Sequence, residues 1–348
     1  MTVPRSLLIG LILTNLASAQ LTDLQPGRNF PVAAPAFGAG RTESIDVGDV
    51  DNDGDYDVGV TDGGDGPPAP NRLYINQGGA QGGAQGTFVD DTAMRFLGLP
   101  ADTTRDLDFV DLEGDGDLDI VVANRGTSAN GGEVSRAYVN QGGLQQGAIG
   151  VFLEGTDDFW GTLVAVPPAS EEGPVDGQGP FRAYSCDCDF GDLDDDGDLD
   201  LFFSTYGPNI NGFTDSRVFL NDGDGRFDEL WPWASAGADI RLHTLDVELF
   251  DMDDDFDLDV FASSRDSFPR VYRNNLYGPA GGGALFDDVS QSALFDNGAV
   301  PFGTNNYEVE FGDLDGDGDL DVFGLNYEGF ADRLLVNQGD GSFVKEAS

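Results

Sequence analysis

The residues of this chain best placed to do chemistry are carboxylates, and their spacing suits a metal ion. A nine-residue pattern, D-x-[D/E]-x-D-G-D-x-D, occurs at residues 49–57, 111–119, 192–200, 251–259 and 313–321, with Phe256 replacing the glycine in the fourth copy. Oxygen ligands at alternate positions of a tight loop suit Ca²⁺, which takes six to eight oxygens in a flexible shell. In the first copy Asp49, Asp51 and Asp53 offer carboxylates, Asp55 offers its backbone carbonyl and Asp57 closes the shell. The same roles fall to Asp111, Glu113, Asp115, Asp117 and Asp119, and to Asp192, Asp194, Asp196, Asp198 and Asp200. Asp251, Asp253, Asp255, Asp257 and Asp259 make the fourth set, and Asp313, Asp315, Asp317, Asp319 and Asp321 the fifth. So many carboxylates in nine residues repel one another unless a cation screens them, so the expected cofactor is Ca²⁺, up to five ions. Mg²⁺ fits less well because it resists losing its water shell. Glu113 lengthens one arm of the second site, and Phe256 stands where the turn demands positive φ, which is costly for a bulky residue. The fourth site is therefore the expected weak one.

These loops need elements to hold them, and the elements repeat as well. Loop starts are 62, 81, 59 and 62 residues apart, so the unit is about 60 residues, with one insertion between the second and third copies. After each loop comes a short apolar run, such as Ile120-Val121-Val122 or Leu201-Phe202-Phe203, which reads as a buried strand. An Arg-x-x-x-Asn segment follows in every unit, at residues 72–76, 136–140, 217–221, 270–274 and 333–337. A glycine-bearing turn, clearest in Asp222-Gly223-Asp224-Gly225, then leads to a phenylalanine that opens another strand: Phe88, Phe152, Phe227, Phe286 and Phe343. With the alternating segment before each loop, the unit has four strands. The expected fold is all-β, a β-propeller of about five four-stranded blades, occupying residues 20–348 as a single domain. A closed ring is expected, and Asn29-Phe30-Pro31-Val32 resembles one more Phe-led last strand.

With loops and strands in hand, the chain resembles the FG-GAP and VCBS repeats of secreted bacterial proteins, which are similar to the propeller of integrin α-subunits. Phe190-Gly191-Asp192 and Phe311-Gly312-Asp313 match that family best, and the Gly-Ala-Pro part of the integrin signature is not clearly present. The resemblance implies a propeller with Ca²⁺ at the blade loops and a role in adhesion or recognition.

A second acidic feature precedes each loop. Five and three places ahead of the first loop aspartate stand Ser44 and Asp46, Asp106 and Asp108, Asp187 and Asp189, Asp246 and Glu248, and Glu308 and Glu310, while the residues between them are apolar. On an innermost strand this charged face would line a central channel. Two readings stand: pairing with the five repeated arginines, or a cation or ligand site in the channel.

Composition narrows the function. Against 64 Asp and Glu there are 17 Lys and Arg, a formal charge of −47, which excludes nucleic-acid binding through phosphate neutralisation. Residues 1–19 read as a signal peptide: Arg5, an apolar run from Leu7 to Leu13, and the small residues Ala17-Ser18-Ala19. The expected product is secreted, extracellular or periplasmic, with no membrane span, and monomeric. Cys186 and Cys188 are too few for a disulfide framework and read as small buried residues. His243, the single histidine, reads as a packing or surface residue. No Gly-x-Ser-x-Gly elbow or histidine-rich zinc site occurs. The leading reading is a non-enzymatic recognition or adhesion module for an extracellular protein or glycan. The alternative is a carbohydrate-active hydrolase or lyase, or its binding module, although 64 acids hide any particular catalytic pair. The insertion from Gln145 to Arg182, with Phe159, Trp160 and Pro167-Pro168, is the expected place for specificity, and Trp231-Pro232-Trp233 lies in the following unit. Exposed, these tryptophans would suit sugar or protein contacts, and buried blade packing is an equal reading that their burial decides. The run from Gly78 to Gly86 reads as a hairpin loop.

Overall fold

The computed structural model describes residues 41–64, 66–126, 132–161, 182–206, 214–230, 233–235, 238, 241–265, 267–276, 285–295, 306–326 and 331–345. The signal segment, Asn29 to Val32, Pro167-Pro168 and Trp231-Pro232 lie outside them.

Each repeat folds as one antiparallel four-stranded meander. The first sheet is β1 (Ile45–Gly48), β2 (Asp57–Val60), β3 (Arg72–Asn76) and β4 (Phe88–Asp90); the second is β5 (Thr104–Val110), β6 (Asp119–Asn124), β8 (Arg136–Asn140) and β9 (Phe152–Glu154). The third is β11 (Ser185–Gly191), β12 (Asp200–Thr205), β14 (Arg217–Asn221) and β15 (Phe227–Leu230); the fourth is β17 (Val247–Phe250), β18 (Asp259–Ala262), β19 (Arg270–Asn274) and β20 (Phe286–Asp288). The fifth is β21 (Asn306–Gly312), β22 (Asp321–Asn326), β23 (Arg333–Asn337) and β24 (Phe343–Lys345). Two ribbons add to these blades: β7 (Glu133–Val134) with β10 (Arg182–Ala183), and β13 (Thr214–Asp215) with β16 (Arg241–Leu242). The first strands of successive sheets lie against one another, β1 on β5, β5 on β11, β11 on β17 and β17 on β21. This is the propeller arrangement, with those strands innermost.

The core is divided into seams between blades, because no single sheet can bury both faces alone. Leu73 and Ile75 of the first blade meet Leu107, Phe109, Ile120 and Tyr138 of the second. Val121 and Ala137 meet Phe190, Leu201, Phe203 and Phe219 of the third blade. Phe202 and Val218 meet Val247, Val260 and Tyr272 of the fourth, and Phe261 and Val271 meet Val309, Val322 and Leu335 of the fifth. The repeated phenylalanine closes each seam. Phe96, just past the first blade, stacks on Phe152 at 5.4 Å; Phe159 meets Phe227 at 4.6 Å; Trp233 meets Phe286 at 5.9 Å.

The expected closure of the ring is not found as a fifth packed seam among the described residues. Ile45 and Val47 are 65% and 51% exposed, whereas their counterparts Leu107 and Phe109 are buried. On the fifth blade Phe323 is 40% exposed, whereas Val121, Phe202 and Phe261 at the same place are buried. A hydrogen bond from the Tyr307 hydroxyl to Glu43 Oε2, 3.4 Å, spans the two end blades. No helix among the described residues is long and apolar enough to cross a membrane.

Candidate metal centre

Each acidic loop joins the first strand of a blade to its second, and its own backbone shapes it. Position one is a hub: Asp49 accepts from the amides of Asp53 and Gly54, both 2.9 Å, and Asp111 and Asp192 repeat the pattern. The fifth loop differs, since Asp313 accepts from Gly316 at 2.7 Å. Position six takes positive φ in every copy, at Gly54, Gly116, Gly197, Gly318 and also Phe256, whose φ is 76° and whose ring is 89% exposed. Position four does the same, at Asn52, Gly114, Asp195, Asp254 and Gly316. Asn, Asp and Gly are the residues that tolerate this region, so that second bend was readable from residue type.

The loops gather oxygens at the spacing of one ion. Carboxylate oxygens of Asp49, Asp51 and Asp53 lie within 4.8 Å of one another, as do those of Asp192, Asp194 and Asp200, of Asp251, Asp253 and Asp255, and of Asp313, Asp315 and Asp321. Two ligands each about 2.4 Å from a shared Ca²⁺ can be no further apart than that. The second loop differs: Glu113, the long arm, takes a hydrogen bond from the Gln145 side chain.

Position seven, expected to offer its backbone carbonyl, also carries a notable side chain. Asp55 and Asp117 are buried, and neither oxygen of either carboxylate has a hydrogen-bond donor among the described residues. Asp51, Asp194 and Asp253 each have one buried oxygen in the same condition. Position nine is held firmly: Asp57 accepts from the Val50 amide at 3.2 Å and the Asn76 amide at 2.8 Å, and Asp119, Asp200, Asp259 and Asp321 are held likewise. Burial, reinforced by neighbouring carboxylates, pushes Asp57, Asp117 and Asp257 up to about 7, and Asp119 to about 9. A bound divalent cation would reverse that penalty, because it favours the charged form. The residues therefore fit Ca²⁺.

The hairpin between the third and fourth strands covers the loop, a feature the sequence reading of Gly78 to Gly86 as a hairpin loop missed. The Ala80 amide donates to Asp53 Oδ2 at 2.8 Å, and Gln81 Nε2 to Asp51 Oδ2 at 2.7 Å. A Cβ at Gly78 or Gly142 would run into the Oδ2 of Asp55 or Asp117, and one at Gly223 or Gly339 would come within 2.6 or 2.7 Å of Asp198 or Asp319. Arg95 adds an ion pair to Asp51 at 2.8 Å, and Arg273 lies 3.9 Å from Asp253.

Five of the inner-strand acids accept hydrogen bonds from backbone amides. Asp46 Oδ2 accepts from the Phe109 amide at 2.7 Å, Asp106 from Cys188 at 3.2 Å, Asp187 from Val247 at 2.7 Å, Asp189 from Leu249 at 2.8 Å and Asp246 from Val309 at 2.7 Å. Each carboxylate thus reaches the backbone of the next blade. The repeated arginines pair elsewhere: Arg72 with Asp90, Arg136 with Asp102 and Glu154, and Arg217 with Glu229, while Arg270 donates to the Phe268 carbonyl. Cys186 and Cys188 are buried and form no disulfide, and the Cys188 Sγ lies 3.4 Å from Asp106 Oδ2 and 3.7 Å from Asp108 Oδ2. Burial and those carboxylates hold the Cys188 thiol well above its ordinary range.

The aromatic residues proposed for specificity are packing residues where they are described. Phe159, Trp160 and Trp233 are buried, and the indole nitrogens donate to the carbonyls of Ser135 at 3.3 Å and Ser216 at 2.8 Å. His243 is buried too, stacked on Tyr206 at 4.8 Å.

No protein-family model matches the chain, and no curated protein matches it. Among solved structures it is similar to a lectin from Agrocybe aegerita described as recognising non-reducing terminal N-acetylglucosamine, with 18% identity and a TM-score of 0.49, covering 88% of this chain and 66% of the lectin. It is also similar to the exotype rhamnogalacturonan lyase YesX, with 17% identity and a TM-score of 0.40, covering 87% of this chain and 48% of the lyase. The chain thus spans less than two thirds of the length of either, and neither likeness identifies a family.

Proposed function

We propose that the protein is a secreted, calcium-stabilised recognition module of the FG-GAP/VCBS kind, which binds Ca²⁺ in its blade loops and captures an extracellular glycan or protein without turning it over. The observation that carries the calcium half is the pair of buried carboxylates Asp55 and Asp117, whose oxygens have no donor among the described residues and feel the charge of the other carboxylates of their loops. A buried anion in that state is costly, and a cation removes the cost. The recognition half draws on the architecture, in which the loops rigidify a scaffold and leave its faces for contact.

The test is a thermal melt in millimolar Ca²⁺ and in chelator, followed by capture on an array of glycans and matrix proteins in both conditions. Each site held at about 100 times its dissociation constant adds about 2.7 kcal/mol if only the folded state binds. A melt indifferent to chelator would remove the calcium assignment. A folded, calcium-loaded protein that captures nothing would remove the recognition assignment.

A further inference from the structure

The hairpins that cover the first two acidic loops are built alike, and each brings one glutamine to its loop. Between β3 and β4 the sequence runs Gly78-Gly79-Ala80-Gln81, and between β8 and β9 it runs Gly142-Gly143-Leu144-Gln145. Both stretches make the same 3₁₀ turn, over Gly79–Gln81 and Gly143–Gln145, entered from Gly78 and Gly142 at φ of −71° and −72°. The turn lies directly on the carboxylates. A Cβ at Gly79 would collide with the Asp53 carboxylate and one at Gly143 with that of Asp115, so glycine lets the backbone come this close. The hairpins of the third and fifth blades, with Asp222-Gly223-Asp224-Gly225 and Gly339-Asp340-Gly341, carry no glutamine at their tips.

Resting on the loop, the turn sets its glutamine against position three. Gln81 Nε2 donates to Asp51 Oδ2 at 2.7 Å, and Gln145 Nε2 donates to Glu113 Oε1. The turn amides fix the same placement, Ala80 donating to Asp53 Oδ2 at 2.8 Å and Leu144 to Asp115 Oδ2. Gln81 Oε1 is buried with no hydrogen-bond donor among the described residues, and so are Asp51 Oδ1 and both carboxylate oxygens of Asp55. Arg95 takes Asp51 through Oδ2, which leaves that orphaned Oδ1 for another partner. A buried acceptor without a donor costs about 1–3 kcal/mol, and a metal ion satisfies acceptors alone. Ca²⁺ also takes six to eight oxygens. Five loop positions leave at least one place in that shell unless a carboxylate binds through both oxygens.

We propose that Gln81 and Gln145 are calcium ligands from outside the nine-residue pattern, each presenting its Oε1 to the ion and latching its hairpin over the loop. Turning the terminal amide over exchanges oxygen and nitrogen at nearly one place, and that terminal torsion is soft. The oxygen then stands where Nε2 now lies 2.7 Å from Asp51 Oδ2, well within the span of about 4.8 Å open to two ligands of one Ca²⁺. Without an ion the N–H group screens the position-three carboxylate. With one, the ion does so and the amide reverses. The inference rests on the calcium reading above and sets the first two sites apart from the third and fifth.

The experiment titrates Ca²⁺ into the chelator-stripped mature chain against a chromophoric chelator, for wild type, Gln81→Leu, Gln145→Leu and Gln81→Glu, each first shown to melt cooperatively. Gln81→Leu and Gln145→Leu should each weaken one site by about tenfold or more, since even groups behind the ligands act on that scale. Gln81→Glu restores an oxygen, so it should bind Ca²⁺ at least as tightly as wild type. The same variant should melt lower in chelator, where its carboxylate faces Asp51 with no ion between them. A glutamine that serves only as an N–H donor competes with the ion for the carboxylate, so both leucine variants would then bind Ca²⁺ as well as wild type or better, and that result would overturn the proposal. Wild-type protein that takes up no Ca²⁺ at all would remove the calcium reading itself.

Discussion

Asn140 donates from its Nδ2 to the carbonyl of Val50, 2.9 Å away in the acidic loop of the preceding blade. The same nitrogen donates to Leu118 in its own loop at 3.0 Å. Asn221 links Leu112 and Leu199 in this way, Asn274 links Leu193 and Leu258, and Asn337 links Met252 and Leu320. The repeated asparagine is therefore a clamp between neighbouring acidic loops. Its own amide meanwhile holds the position-nine aspartate.

Asn140→Ala strands two carbonyls in a buried place, so it should destabilise the fold by about 3 kcal/mol. Asn76 is the internal control. It donates to Tyr56 in its own loop at 3.1 Å and has no described blade before it to join. Asn76→Ala should cost clearly less in the same urea titration. Equal losses would mean that the contact between blades contributes nothing.

Phe256→Gly should stabilise the protein. Phe256 holds φ at 76° with its ring in solvent, so removing the side chain forfeits little burial and relieves a left-handed conformation. Such a residue costs roughly 1–2 kcal/mol, partly offset by the greater freedom of glycine in the unfolded chain. A net gain of about 1 kcal/mol should appear as a melting point raised by roughly 2 °C in chelator. In Ca²⁺ the rise should be larger, because the fourth loop is relaxed for binding. A lower melting point in both buffers would refute the strain.

Gly142→Ala tests the hairpin cover. Gly142 has φ of −72°, so alanine suffers no positive-φ penalty there. The added Cβ meets Asp117 Oδ2 and lies 2.9 Å from Ile149 Cγ1. The substitution should weaken calcium at the second loop while the protein still folds, seen by titration as one site of lowered affinity. Affinities identical to wild type would show that the Asp117 carboxylate takes no part in binding.

The acidic loops and the four-strand blade were legible because both rest on residue types: carboxylates at alternate positions, and apolar runs between turn residues. What stayed hidden involves the backbone as partner. Asp106 and Asp187 were recognisable as a charged face, yet their donors are the amides of Cys188 and Val247, and every non-proline residue has an amide. The Asn140 column was visible, but its carbonyl acceptors have no sequence identity either. Trp160 and Trp233 could be read from sequence either as contact residues or as blade packing, since an indole suits a buried seam as well as a surface, and both are buried.

The inner-strand acids set a pH dependence opposite to the usual one for salt-bridged carboxylates. Lost hydration holds Asp187, Asp246 and Glu248 well above the ordinary carboxyl range, and nearby acids add to it: Asp106 and Asp246 around Asp187, Glu308 and Glu310 beside Asp246, and Asp189 beside Glu248. The backbone amides of Val247 and Val309 pull the other way for Asp187 and Asp246 without prevailing. A folded state that keeps these protons where the unfolded chain has released them binds more protons, so stability falls as pH rises. The contribution is complete below the unfolded carboxyl value of about 4 and is lost upward from there towards the raised folded values. In chelator the melting temperature should therefore decline from pH 5 to pH 8. Asp187→Asn and Glu248→Gln, which keep shape and remove charge, should flatten that decline and raise the melting point most at the alkaline end. A melting temperature that climbs with pH in chelator, or variants that leave the slope unchanged, would show that these carboxyls ionise freely in the folded channel.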